Sequence, residues 1–435
     1  LRIALVSYRS KPHCGGQGVY VRHLSRELTA LGHSVEVFSG QPYPELDEGV
    51  ALTKIPSLDL YRDPDPFRMV WPWEFRDLID AQEFAIMCTA GFPEPRTFGK
   101  RLLRVMRRRA GDFDIVHDNQ VLAHGVMDIE KEVGIPVLTT VHHPITFDRR
   151  VDIAAAPFRK KLSLRRWYGF LKMQGAVVRR ARWILLPSES SKVDAAKDFG
   201  SDLSKMQVIP LGVDDCFVPP SKPRVPGRLV AMASADAPMK GIATLLEAFA
   251  KLLTERDLEL LLVTKPTPGG RTEKLIEELG IGEKIKFVNG ISDTELVEVM
   301  GSAEIAVVPS LYEGFSLPTA ELMACETPLV VSRTGAIPEV VGPDGLCAEL
   351  VAPGDVGELT ATLAALLDDP ERRDRLGKAG RVRAQELFSW TAVAKKTAAA
   401  YEHVLADYAA NPTSTHKRAK KIKNETVTKK NKETA

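Results

Sequence analysis

Ala303-Glu304-Ile305-Ala306-Val307-Val308-Pro309-Ser310-Leu311-Tyr312-Glu313-Gly314-Phe315-Ser316-Leu317-Pro318-Thr319-Ala320-Glu321 passes from a buried strand through a turn into a helix. The run Ile305 to Val308 is apolar on both faces, as a strand covered from both sides must be, and Pro309 ends it. Pro318 fits the first turn of a helix, where its missing N–H is not needed. Glu313 therefore lies in the loop off the strand and Glu321 in the helix, with seven residues between them. The backbone N–H groups of Gly314, Phe315 and Ser316 fall at the helix N-terminus, where the partial positive charge favours a phosphate.

The same alternation extends in both directions. Ile3-Ala4-Leu5-Val6-Ser7 leads through Cys14-Gly15-Gly16-Gln17-Gly18 into a helix with Val21, Leu24, Leu28 and Leu31 at helical spacing. Gly32 closes that helix and Val35-Glu36-Val37-Phe38 forms the next strand. Further apolar runs at Ile115–His117, Val137–Val141, Ile184–Pro187 and Val208–Pro210 continue a parallel sheet. The Pro-rich segment 213–228 reads as a linker, since Pro219, Pro220 and Pro223 hold no regular element. A second series starts at Leu229–Met232 and continues at Leu258–Val263, Ile285–Val288, Ile305–Val308 and Leu329–Val331. The expected fold is α/β, two doubly wound Rossmann-like domains over 1–212 and 229–387, with an aromatic insertion at 56–111.

The chain has 435 residues, 44% of them hydrophobic, enough for two or three cored domains. No run approaches a membrane span, and Tyr8-Arg9-Ser10-Lys11-Pro12 interrupts the opening segment before a signal-peptide core forms. A cytoplasmic location is expected, with peripheral contact at the inner face of an anionic membrane as an option. Five cysteines, at 14, 88, 216, 325 and 347, show no paired spacing and point to reduced thiols. The segment 411–435 holds eight Lys or Arg against two Glu, so it carries +6 and the rest of the chain −4 of the net +2. It reads as a disordered basic tail with no specific nucleic-acid partner.

A dinucleotide fingerprint requires Gly-x-Gly-x-x-Gly and an acidic residue after the second strand; Phe38-Ser39-Gly40 supplies none, which argues against NAD. Two carboxylates able to grip paired hydroxyls, flanking an anion cradle, suit a sugar nucleotide instead. Departure of a nucleotide from a sugar builds charge on a diphosphate, which calls for a fixed cation; Lys240-Gly241, after the first strand of the second domain, is the candidate.

With its Glu, seven residues and second Glu inside Glu-Gly-Phe-Ser-Leu-Pro, the chain resembles the retaining glycosyltransferases of family 4 over nearly its whole length, to about Ala410. The resemblance implies the GT-B fold, two domains facing across a cleft, with the helix 388–410 crossing back to the first domain. It implies that Glu313 contacts the transferred sugar, that Glu321 holds the ribose hydroxyls, and that Gly314, Phe315, Ser316 and Leu317 line the donor site. Ala233-Ser234-Ala235-Asp236-Ala237-Pro238-Met239-Lys240-Gly241 resembles the family's Gly-Arg…Lys-Gly loop, but the Arg is missing and Ser234 stands in that stretch. Either Lys265 or Arg271, in the loop 265–271, replaces it, or the diphosphate relies on Lys240 and backbone amides. Glu326 stands where the family pattern has Gly, so that helix end is expected to be strained.

Gly15 and Gly16 are expected to approach the donor. Thr139-Thr140-Val141-His142 matches the family's Thr-Val-His stretch and places His142 at the sugar or the reaction centre, beside the catalytic pair Lys240 and Glu313. His143 and His117 are weaker candidates. The mechanism implied is retaining and metal-independent, the departing phosphate serving as base. No cofactor is expected; the donor would be a UDP-sugar first, with GDP- or ADP-sugars as alternatives. The transferred unit would be a hexose. The acceptor hydroxyl, on a sugar, a lipid-linked or a small molecule, is expected against the first domain, where Tyr61, Phe67, Trp71, Trp73, Phe75, Phe84, Phe92 and Phe98 either stack on a sugar ring or cover an apolar aglycone, or serve the core packing of short helices. The basic run Arg149–Tyr168 could hold anionic lipid or an acceptor phosphate. Two rival classes share these features, a sugar-nucleotide epimerase of the same fold and a non-catalytic subunit; a panel of sugar nucleotides separates them.

Overall fold

The computed structural model describes residues 1–11, 16–143, 145–232 and 236–412. Gly15, Ser234 and the tail beyond 412 lie outside the described residues. The chain divides into two compact units, 1–187 with 192–209 and 394 onward, and 188–191 with 210–393.

In the first unit seven strands form one sheet: β1 (Arg2–Ser7), β2 (Ser34–Ser39), β3 (Ala51–Lys54), β4 (Ile115–Asn119), β5 (Val137–Thr140), β6 (Trp183–Leu186) and β7 (Met206–Val208). Their order is β3-β2-β1-β4-β5-β6-β7, every pair parallel. The order reverses between β1 and β4, so the loops leaving these two strands diverge and open a crevice at their carboxyl ends. β4, β5 and β6 are buried along their whole length; β5 and β6 read as unbroken apolar or small runs, while β4 buries the polar His117, Asp118 and Asn119. One core layer collects Ala4, Val6, Phe38, Leu102, Met106, Val116 and Val137. The helix Trp390–Ala410 contributes Tyr401, wholly buried, to this unit from Ala394 onward.

The second unit holds β8 (Val225–Met232), β9 (Glu259–Val263), β10 (Ile285–Val288), β11 (Ala303–Val308), β12 (Leu329–Ser332) and β13 (Glu349–Val351). The order is β10-β9-β8-β11-β12-β13, again all parallel, with the reversal between β8 and β11. Side-chain alternation divides each strand between two cores. Leu229, Ala231, Ile305 and Val307 join Phe249 and Leu246 on one face, while Val230, Ala306 and Val308 join Met323 and Phe388 on the other. Each such aliphatic side chain removed from water contributes about 1.5–3 kcal/mol.

β8 begins four residues before the sequence places it. Pro226 is tolerated because pairing with β9 starts only at Arg228, and Gly227 takes a φ of +73° where the pairing with β11 slips. The sheet-edge strands β3 and β13 carry too few residues to show a period and are additions to the sequence reading. The first helix starts at Gly16, so Gly16 and Gly18 belong to its first turn rather than to a loop. A Cβ on Gly18 would lie 2.0 Å from the Lys11 carbonyl oxygen, so this glycine is required by close packing of backbone on backbone.

Candidate functional site

At the switch point of the second unit, the loop after β8 meets the loop after β11. Gly241 makes the meeting possible: its φ is +64°, and a Cβ there would lie 1.9 Å from the Pro309 carbonyl oxygen. Leu311 N–H donates to the Met239 carbonyl at 2.7 Å, tying the two loops together. Lys240, just before this contact, is thereby brought to Glu313: its Nζ donates to Glu313 Oε1 at 2.7 Å, and Ser310 Oγ donates to the same oxygen at 2.8 Å. The Glu313 side chain is 11% exposed and that of Lys240 32%, so the pair is partly shielded yet reachable.

The Glu313 backbone is held from a third side. Ala336 N–H donates to its carbonyl at 3.0 Å, and Gly335, at φ +51°, allows that approach. Ser316 then caps the helix Leu317–Ala324 in the left-handed region, at φ 74°, its hydroxyl bonded to Thr319 Oγ1 at 2.7 Å. The N–H groups of Gly314, Phe315 and Ser316 find no acceptor among the described residues, so three donors remain at the helix N-terminus. The Phe315 ring packs edge-on against Phe388 at 5.6 Å and anchors the loop in the core. One turn into the helix, the carboxyl of the partly buried Glu321 accepts no hydrogen bond among the described residues. Burial, with Asp293 and Asp214 nearby, raises its carboxyl to about 7.

In the first unit, His142 follows β5. Asn119, the last residue of β4, accepts from its Nε2 at 2.5 Å. An amide oxygen can only accept, so Nε2 carries the proton and Nδ1 the lone pair. Gln120 Oε1 accepts from the His142 backbone N–H at 2.6 Å, and Tyr20 stands edge-on to the imidazole at 4.5 Å. Burial lowers His142 to about 4, which makes it a neutral group at physiological pH. The loop holding it is strained: Gln120 and Leu122 both lie at positive φ, 55° and 52°. Buried Asp118 keeps it in place by accepting from the N–H groups of Val121 and Leu122 at 2.8 and 3.2 Å.

The structure thus brings together Lys240, Glu313 and the Gly314–Leu317 turn, with Glu321 on the helix that the turn begins. His117 is set apart: wholly buried, it bonds Tyr401 and Thr140 at 2.7 and 2.6 Å and serves packing. Lys265 and Arg271, in the segment between β9 and the helix Arg271–Leu279, form no ion pair among the described residues. No group of three or more His, Cys, Asp or Glu is placed to hold a metal ion among the described residues. Sequence reasoning missed Ser310, Asn119, Gln120 and Tyr20. Asn119 and Gln120 had a usable signal, since they close a strand at the switch point; Tyr20 had none.

Each unit is a doubly wound sheet, the second carrying a Lys–Glu pair and helix-end N–H groups that find no acceptor among the described residues, the first a neutral histidine; this chain belongs to the GT-B glycosyltransferases. Residues 14–216 match the family model described as Glycosyltransferase Family 4, and residues 219–383 the one described as Glycosyl transferases group 1. The protein transfers a sugar from a nucleotide-sugar donor. It is 57% identical over 411 residues, 94% of this chain and 100% of the relative, to the MMP α-(1→4)-mannosyltransferase of Mycolicibacterium hassiacum. It is also 28% identical over 416 residues to the glycogen synthase of Mycobacterium tuberculosis, across 92% of this chain and 94% of that protein. Among solved structures, sucrose-phosphate synthase of Thermosynechococcus elongatus shares the fold with a TM-score of 0.67 at 23% identity, over 93% of this chain and 99% of that one. The Anabaena HepE protein in complex with UDP and glucose shares it at 0.63 and 14% identity, over 91% and 98%.

Proposed function

We propose that this protein is a retaining, metal-independent α-(1→4)-mannosyltransferase that lengthens a glycan acceptor from a nucleoside-diphosphate mannose. The similarity to the Mycolicibacterium hassiacum enzyme supports the sugar and the linkage. The observation that carries the chemistry is the Lys240–Glu313–Ser310 cluster beside a helix N-terminus whose N–H groups find no acceptor among the described residues. Lys240 and the N–H groups of Gly314, Phe315 and Ser316 receive the charge that grows on the departing diphosphate. Glu313 holds hydroxyls of the transferred mannose, and Glu321, with its acceptor capacity unused, takes the two ribose hydroxyls.

Neutral His142, fixed by Asn119, offers a hydrogen bond to the mannose rather than a charge. The acceptor hydroxyl attacks on the face the nucleotide leaves, and its proton passes to the departing phosphate oxygen. A nucleotide sugar of α configuration then gives an α product, which is retention. No protein nucleophile takes part. The location proposed is cytoplasmic.

Incubation with UDP-, GDP- and ADP-linked hexoses and an α-(1→4)-mannooligosaccharide, in EDTA, tests this reading. A product one mannose longer, with an α-(1→4) linkage by NMR, is expected. Epimer release without transfer, a β linkage, or a rate restored only by Mg²⁺ or Mn²⁺ would each overturn the corresponding part.

A further inference from the structure

Among the aromatic residues of the insertion, Phe98 joins the main core of the first unit and Phe67, though 57% exposed, lies edge-on against Tyr61; the others differ in their packing. Tyr61, Phe75, Phe84 and Phe92 pack with Leu58, Leu60, Met87 and Trp167 in a small core of their own. Trp71 and Trp73 do not join it: they are 62% and 76% exposed and stack on each other, with ring centroids 5.1 Å apart and planes 4° from parallel. Two large apolar rings held flat in water demand an explanation that core packing does not supply.

Their mount is rigid. Glu74 accepts from the Trp71 N–H at 2.9 Å and from the Arg68 guanidinium, which in turn donates to the Leu58 carbonyl at 2.8 Å. The loop that carries them passes through Phe67 at φ +64°, a conformation few bulky residues adopt, pinned by a hydrogen bond from its N–H to Leu60 at 2.8 Å. Strain and a partly buried ion pair at the base of an exposed, preformed aromatic surface are features of a binding site.

We propose that Trp71 and Trp73 are a stacking platform for sugar rings of the acceptor glycan other than the one that reacts. This rests on the glycan-acceptor reading above. The axial C–H faces of a pyranose lie flat on an indole. An anionic bilayer fits less well, because the segment from Asp59 to Asp77 carries five carboxylates (59, 63, 65, 74, 77) against three arginines (62, 68, 76). A second copy of the chain fits less well too. Two indoles offer at most about 300–500 Å², far below the roughly 1,200 Å² of a stable interface.

The test compares the full-length protein with Trp71→Ala/Trp73→Ala and with Trp73→Tyr. Without donor, α-(1→4)-mannotetraose should protect the wild-type tryptophan fluorescence from acrylamide, since of the five tryptophans Trp183 and Trp390 are buried, Trp167 is partly buried, and Trp71 and Trp73 are the exposed ones. With donor, the double variant should show a KM for mannotetraose raised about tenfold, with kcat, the donor KM and the KM for methyl α-mannoside unchanged. Trp73→Tyr should retain most of the affinity. An unchanged KM for mannotetraose in a double variant of wild-type melting temperature would overturn the platform while leaving mannosyl transfer standing. Protection by a different glycan, with no mannosyl transfer by the wild type, would support the platform and overturn the mannosyl reading. A dimer, or binding to anionic vesicles, that the double substitution abolishes would also overturn it.

Discussion

Glu321 shows how one side chain links burial to ligand binding. Its carboxyl is held at about 7 by burial and by Asp293 and Asp214, so near neutral pH half the molecules carry the proton. Ribose hydroxyls donate to the carboxylate and not to the acid, so binding favours the deprotonated form. Affinity for the donor's nucleoside diphosphate should rise with pH up to about 7 and be level by about pH 8. Glu321→Gln should weaken binding by roughly tenfold at pH 8, the loss of a charged hydrogen bond, and should flatten that rise. Calorimetry at three pH values checks it, and a variant with the wild-type profile would refute the assignment. Lys240→Ala removes the cation from the leaving group and strips Glu313 of its ion pair, leaving only Ser310. We expect kcat to fall about 10²–10³-fold with a smaller change in the donor KM; steady-state kinetics showing an effect on KM alone would exclude this role.

At the scale of elements, two helix ends carry the argument. Gly241 opens the helix Ile242–Leu252 at φ +64° with its α-carbon against the Pro309 carbonyl, so Gly241→Ala must both strain the backbone and push the two loops apart. A loss of about 2 kcal/mol or more is expected, together with loss of activity, because Lys240 moves with the loop; denaturant unfolding measures the first. Glu326 ends the helix Leu317–Ala324 two residues beyond its last turn, at φ +58°, while its carbonyl accepts from Arg224 at 2.6 Å. The strain expected from the sequence is there in the backbone. A left-handed non-glycine residue costs about 1–2 kcal/mol, partly offset by the extra entropy glycine loses on folding. Glu326→Gly should therefore raise the melting temperature by a degree or two, and a lower value would show that the Glu326 side chain contributes more than its backbone costs. Both positions were legible as punctuation in the chain. Which partner each one meets, the Pro309 carbonyl or the Arg224 guanidinium, was not, since Pro309 and Arg224 lie far from them in sequence.

For the molecule as a whole, buried acids set the response to pH. Burial raises Glu94 to about 8, with Arg9 opposing, and Asp118 and Glu321 to about 7 each. In all three the folded protein holds a proton that the unfolded chain has released, so stability falls as pH rises from the ordinary carboxylate range to about 8. Buried His142 and His117, lowered to about 4 and 3, work the other way: the unfolded chain takes up protons below about 6.5, and stability is lost as pH falls from there. Between pH 6.5 and 8 only the carboxyls titrate. The melting temperature should decline across that window, and Glu94→Gln should remove most of the decline; a scan with the same slope in both proteins would show that Glu94 is not its source.

Sequence by itself determined the two parallel α/β units, the strand–loop–helix around Glu313 and Glu321, and the candidacy of Lys240 and His142, because strand alternation, helix caps and glycine turns are local properties. Tertiary structure alone decided which of these residues meet. Lys240 and Glu313 are 73 positions apart and touch only because β8 and β11 are neighbours and Gly241 lets their loops close on each other. In the same way Asn119 and Gln120 reach His142 because β4 and β5 pair side by side, and the exposure of Trp71 and Trp73, unlike their aromatic neighbours, depends on a fold that fills its small core without them.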